Sequence, residues 1–313
     1  MVSVLGYFKN FFKHDFRWDS FITILVLNAI LIYLNWGLGM FNWIRNVHGL
    51  ESYVVLIYWL LFFLVFILPV IIQSFFSGNY IHFKKTFFYV FILFTTLIFA
   101  CRFSYYHFND WLKIFYEHSA HEIFWNRITN SVFRFCIVLI PILIFWFLFE
   151  RKRQSFYGCT GYNFNLRPYF MMLLLMVPLI TLASTQSDFL GAYPRAKFLH
   201  SYSIQNMQHW KYFLIYELFY GMDFFSIELF FRGFLILGAI RVLGSQAILA
   251  ASTFYVVIHF GKPMGEAISS FFGGTILGVI TFYGRSIWGG LIVHVGIAWM
   301  MELGAMIGTW MQR

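Results

Sequence analysis

Residues 52–76 read SYVVLIYWLLFFLVFILPVIIQSFF, and no side chain in them carries a charge. As an α-helix, a run of this length crosses the roughly 30 Å of hydrocarbon in a bilayer, which takes about 20 residues at about 1.5 Å each. Comparable apolar runs recur at 20–40, 86–104, 131–149, 169–183, 212–240, 246–260, 265–284 and 287–308. Composition agrees, with 60% hydrophobic, 23% aromatic and only 11% charged residues, where an ordinary soluble domain is roughly a quarter charged. The expected fold is an all-α polytopic membrane protein, a bundle of about eight or nine transmembrane helices with amphipathic interfacial helices.

The formal net charge of +9 would point to nucleic acid in a soluble chain. Here the lysines and arginines sit mostly in short loops between apolar runs, a pattern that orients a membrane protein, and no nucleic-acid partner is expected. The stretch FKNFFKHDFR, residues 8–17, and the cluster Arg151, Lys152, Arg153 are separated by four expected spans. Both therefore face one side, the cytoplasm by the positive-inside rule. Residues 1–19 alternate aromatic and basic side chains, as an interfacial segment does. The first apolar run is long enough to be a retained span rather than a cleaved signal. Segment 108–130, FNDWLKIFYEHSAHEIFWNRITN, is too polar to span and reads as a further amphipathic interfacial helix. Cys101, Cys136 and Cys159 show neither CxxC spacing nor a metal-site rhythm. The loop-like stretch 151–170 divides the chain into an N-terminal membrane region, 1–168, with four spans, and a C-terminal membrane region, 169–313, whose last spans are shorter and closer together.

Ionisable side chains at membrane depth cost at least about 2.5–3.5 kcal/mol each, so each one marks a functional site or an internal pair. The C-terminal spans hold Asp223, Glu228, Arg232, His259 and His294. Glu228 and Arg232 are four residues apart on one helical face and can pair, as a brace or as part of a site. Counting rise along the helices puts Glu228, His259 and His294 at overlapping depths, so the three are expected to converge on one water-accessible hollow. A carboxylate with two imidazoles can activate water, and His₂Glu can equally hold Zn²⁺. Both chemistries stay open at this point.

The segments IELFFR (227–232), YVVIH (255–259) and HVGIA (294–298), in this order, resemble the CPBP family of intramembrane proteases, which includes the CAAX prenyl endopeptidases. The family's signatures are Glu-Glu-x-x-x-Arg, Phe-x-x-x-His and His-x-x-x-Asn helices, and the resemblance covers about 212–303. It implies an intramembrane endopeptidase with Glu228, His259 and His294 as catalytic residues and Arg232, Asp223 and Tyr255 in support. It implies no assigned metal; zinc is the candidate cofactor, with Glu228, His259 and His294 as its ligands. The partners implied are the lipid bilayer and a membrane-embedded or lipid-associated peptide substrate, and the location is a bacterial cytoplasmic membrane. Two positions depart from the pattern: the first glutamate is Ile227 and the final asparagine is Ala298. Asp223, one turn before Ile227, is a possible substitute carboxylate. The departures also motivate a second reading, a catalytically silent relative that binds a membrane partner. A transporter with a protonatable site is a third, resting only on buried ionisable residues.

Weaker signals read as ordinary structure. HSAHE (118–122) lacks the second histidine of HExxH, because position 125 is Trp, and reads as a solvated interfacial face. Glu217 belongs to a vestibule, Glu302 has no assigned role, and Gly273, Gly274 and Gly278 suit close helix packing.

Overall fold

The computed structural model describes residues 4–46, 51–104, 112–115, 121–160, 166–201 and 209–311, and among these it is helical with no strand. An N-terminal helix α1 (Val4–Asn10) precedes α2 (Trp18–Trp36), α3 (Met40–Arg45), α4 (Glu51–Ser77), α5 (Thr86–Phe103) and α6 (Glu122–Phe145). The C-terminal region adds α7 (Arg167–Ala183), α8 (Ser187–Ala192), α9 (His209–Glu228), α10 (Ile240–Leu243), α11 (Gln246–Val257), α12 (Met264–Gly284) and α13 (Trp288–Met311). Each of the nine expected runs is a helix. Six of them, α2, α4, α5, α6, α12 and α13, are long and apolar enough to cross a membrane by themselves. Of the other three, α7 and α11 are shorter, and α9 carries Glu217, Asp223 and Glu228 before running on into a wide π-helical segment, Leu229–Gly238.

The shortness of α11 decides how the bundle is built. Its 12 residues rise about 18 Å, well short of the hydrocarbon thickness, and every side chain from Ala247 to Val257 is buried. It is an interior post, packed against α4, α12, α2 and the segment 229–238. Ala247, Ala250, Ala251, Ser252 and Thr253 keep it thin, and α12 meets it with Gly274 against Ser252 and Gly278 against Ile248. Small residues matter here because lipid tails are as apolar as leucine, so helices associate through close contact and polar links. Two such links hold α11: Asn28 Nδ2 donates to Thr253 Oγ1 at 3.2 Å, and Gln73 Nε2 donates to the Gln246 carbonyl at 3.0 Å.

Phenylalanines fill the remaining space. Ring centroids lie 4.8 Å apart for Phe62 and Phe254, 4.2 Å for Phe99 and Phe230, and 5.4 Å for Phe231 and Phe254, mostly within the range in which tilted aromatic pairs attract. One buried cluster runs from Ile24 to Ile287, so both halves of the chain share it. On the periphery, α7 turns Phe170, Leu174, Leu175 and Leu182 outward, where lipid would meet them. Its inner face packs Leu173 on Gly296 and Ile180 on Gly304 of α13.

The two basic clusters lie at one end of the bundle, in keeping with their spacing. Tyr7 stacks on Tyr283 with centroids 6.0 Å apart, and the Ile287 N–H donates to the Gly158 carbonyl at 3.2 Å. These contacts draw the N-terminal segment, the loop after Arg151–Arg153 and the turn between α12 and α13 together. Segment 108–130 differs from its expectation. From Glu122 onward it is the first part of α6, continuous with the span, and not a separate interfacial helix. Three of the polar side chains that made it look unable to span, Asn126, Arg127 and Asn130, line a cavity. His118 lies outside the described residues, and His121 rests against the Tyr212 ring.

The backbone of Tyr157 lies directly over Gly233, where an added Cβ would come within 2.9 Å of its carbonyl oxygen. Gly233→Val should therefore destabilise the protein by about 1–3 kcal/mol, as overpacking does. Leu174→Val, on the outward face of α7, should change stability by less than about 0.5 kcal/mol. Thermal unfolding of the two variants in one detergent checks the contrast.

Candidate active site

Glu228 is completely enclosed, and three groups surround its carboxylate. His294 Nδ1 donates to Oε1 at 2.9 Å, Arg232 Nε stands 3.5 Å from Oε2, and Gly290 of α13 lies so close that a Cβ there would collide with Oε2. The i,i+4 spacing from the end of α9 supplies the arginine, and α13 supplies both the histidine and the gap that lets the carboxylate in. The arginine is buried as well, with its guanidinium 4.6 Å from the Tyr255 ring centroid. A cation over a desolvated aromatic face is stabilised by the ring quadrupole.

Tyr255 connects this pair to the second histidine. Its hydroxyl bonds His294 Nε2 at 3.0 Å, and its carbonyl accepts from His259 Nδ1 at 2.7 Å. With Nδ1 of His294 given to Glu228 and Nδ1 of His259 given to a carbonyl, each neutral imidazole keeps its lone pair on Nε2. Phe224 closes one side of His294 with ring centroids 4.6 Å apart.

His259 Nε2 faces a second polar group. Glu266 Oε1 is 3.7 Å away and is bonded at 2.5 Å by Lys262 Nζ, while Tyr193 donates its hydroxyl to Oε2 at 3.0 Å. Burial works against the Lys262 ammonium, but the Glu266 carboxylate outweighs it and holds the group above its ordinary pKa. Nothing in the composition of this stretch singles these residues out. The one signal is the i,i+4 placement of Lys262 and Glu266 across the start of α12, in KPMGE, which looks like a linker.

A cavity of about 540 Å³ joins these parts, lined on this side by Ile227, Tyr255, His259 and His294. Both imidazoles thus reach one hollow, as expected, whereas Glu228 and Arg232 do not line it and stand behind His294. Asp223 lines it too, but its carboxylate is held by Arg102 at 2.9 Å and Arg134 at 3.6 Å, and Ser226 bonds it from its own helix. Ile227 occupies the wall where the family pattern has its first glutamate, and Ala298 is buried one turn beyond His294. Glu302 is a structural acceptor, taking the backbone N–H groups of Arg195 and Ala196 at 2.7 and 3.3 Å. Glu217 is buried and does not line the cavity, so it is no part of a vestibule.

Zinc fits this arrangement poorly. Glu228 Oε1 and both His294 nitrogens are already hydrogen-bonded, a guanidinium stands beside Oε2, and His259 belongs to a separate group. Among the described residues no three of His, Cys, Asp or Glu are gathered closely enough to hold a metal ion.

Residues 209–300 match the family model described as type II CAAX prenyl endopeptidase Rce1-like. Over these residues the chain is similar to that family. No curated protein and no solved structure matches the chain. The matched stretch contains Glu228, Arg232, Tyr255, His259 and His294.

The charge balance of this site can be tested through stability. Removing one partner of a buried ion pair strands the other, at a cost of about 3–5 kcal/mol. Glu228→Gln should destabilise the protein on that scale, and adding Arg232→Met should recover a large part of the loss. Equal unfolding temperatures for the single and double variants would show that the two side chains are not coupled.

Proposed function

We propose that this chain is an intramembrane endopeptidase that hydrolyses a peptide bond of a membrane-associated substrate inside the cavity. The observation that carries the proposal is the placement of two imidazoles from separate helices on the wall of one open cavity. His259, anchored through Nδ1, presents Nε2 as the base. It takes a proton from a water that attacks the scissile carbonyl, and returns that proton to the leaving amine. The Tyr255 hydroxyl, by exchanging its bond to His294 Nε2 for one to the substrate, donates to the oxyanion, and Glu228, accepting the Nδ1 proton of His294, fixes that imidazole beside it. Glu228 is thus a positioning residue acting through His294, and Arg232 keeps it charged. Asp223, committed to two arginines, is left out of the proton path.

Ile227 and Ala298 lower the rate this machinery can reach. One missing oxyanion donor typically costs about 10²–10³ in turnover, which slows an enzyme without abolishing its chemistry. The same two positions support a second reading, a partner-binding relative that no longer cleaves. The positive-inside rule favours a cytoplasmic N-terminus, and the cavity mouth then faces away from the cytoplasm. A bacterial cytoplasmic membrane is the proposed location.

Comparing membrane peptides from cells that express the wild type or His259→Ala tests the endopeptidase reading. A general base contributes about 10²–10⁴ in rate, so the cleavage products should vanish in the variant and fall with His294→Ala. Ile227→Glu, which puts a carboxylate on the cavity wall, should raise the yield. Unchanged products in both histidine variants would exclude this mechanism; their absence even from the wild type, with partner binding intact in both variants, would favour the silent relative.

A further inference from the structure

The far wall of the cavity is the part that hydrolysis leaves unused. Six cationic side chains line the chamber: Arg45, Arg102, Arg127, Arg134, Arg195 and Lys262. Among the described lining residues Asp223 is the one carboxylate, shared between Arg102 and Arg134, and Glu266 offsets Lys262 from behind. Among the described residues that line it, cations therefore outnumber carboxylates. Arg127 lies 5.6 Å from the Phe198 ring and Arg195 4.9 Å from the Tyr193 ring, contacts that orient a guanidinium without neutralising it.

These cations come from distant parts of the sequence, five of them at or near helix ends and Arg134 in the middle of α6. Arg45 ends α3, Arg102 is in the last turn of α5, and Arg127 is in the second turn of α6. Arg195 follows α8, and Lys262 sits in the turn between α11 and α12. Phe41, Phe103, Phe224, Ile258 and Phe260 also line the chamber, which therefore has a charged part and an apolar part. Its volume of about 540 Å³ is that of a small-molecule site.

Asp223 shows one carboxylate bridging two guanidiniums with its two oxygens, and it is committed to Arg102 and Arg134. A phosphate offers several oxygens to more than one planar donor fork at once, the geometry for which arginine is best suited. The apolar lining adds a place for the hydrocarbon that such a headgroup carries. We infer that the cavity binds a phosphorylated amphiphile, its phosphate held by Arg127 and Arg195 and its first carbons resting on the aromatic wall. This site needs neither the base at His259 nor any cleavage, so it stands apart from the endopeptidase reading.

Titration calorimetry on the full chain in phosphatidylcholine nanodiscs tests it, with decyl phosphate, decanol and inorganic phosphate as probes and empty nanodiscs as the blank. Decyl phosphate should bind at least about tenfold more tightly than either of the others, a difference well within reach of the method. Its affinity should fall with added salt and drop by at least about tenfold in Arg127→Gln/Arg195→Gln, whereas Arg127→Lys/Arg195→Lys should retain more of it. His259→Ala should still bind it, which separates this result from any failure of cleavage. Equal affinity for decanol or for inorganic phosphate overturns the inference, as does undiminished binding by the double Gln variant. If that variant does not fold, Arg127→Gln alone, at an exposed position of α6, provides the same comparison with a smaller expected loss.

Discussion

A carboxylate enclosed between helices and sealed from solvent must find its partners inside the protein, and Glu228 imposes that requirement on its neighbours. Arg232, one turn on in its own helix, supplies charge, His294 on α13 supplies a donor, and Gly290 supplies the space. Leaving such a group unpaired costs several kcal/mol, more than most packing contacts contribute. The placement of α13 against α9 is therefore tied to the position of one carboxylate. Through the Tyr255 hydroxyl and carbonyl the same constraint reaches α11 and His259.

Much of this is legible in the sequence, for a physical reason. An ionisable residue in an apolar run is conspicuous because the run is otherwise uniform, so Glu228, Arg232, His259 and His294 stand out, and counting rise per residue puts Glu228, His259 and His294 at overlapping depths. The nine helices are likewise visible as apolar runs. Direction is not legible. Helical period places Glu228 and Arg232 on one face, but only the packing of α13 shows that this face lies behind His294 and away from the cavity. The polar start of α6 misleads because a stripe of Asn and Arg suits a water-facing surface whether that water is outside the bundle or within it. Lys262 and Glu266 escape notice because a turn of Lys, Pro and Gly looks like any other connection.

The cavity has two chemically distinct parts. One presents neutral imidazoles and a tyrosine, anchored from behind and directed at a hollow. In the other, among the described residues, guanidiniums outnumber the carboxylates that line it. Asp223 belongs to the second part, since both of its cationic partners line that wall. By sequence it looks like a substitute for the acid missing at Ile227; its partners make it a counter-ion.

Which nitrogen of each buried histidine carries the proton decides whether the site can act as proposed. Nitrogen-15 NMR of histidine-labelled protein, with His259→Gln and His294→Gln variants for assignment, reads this directly. Both residues should carry a proton on Nδ1, given to the Tyr255 carbonyl and to Glu228, and His259 should keep a bare Nε2 at neutral pH. A proton on Nε2 with Nδ1 bare, in either residue, would contradict the chain of contacts from Glu228 to the cavity.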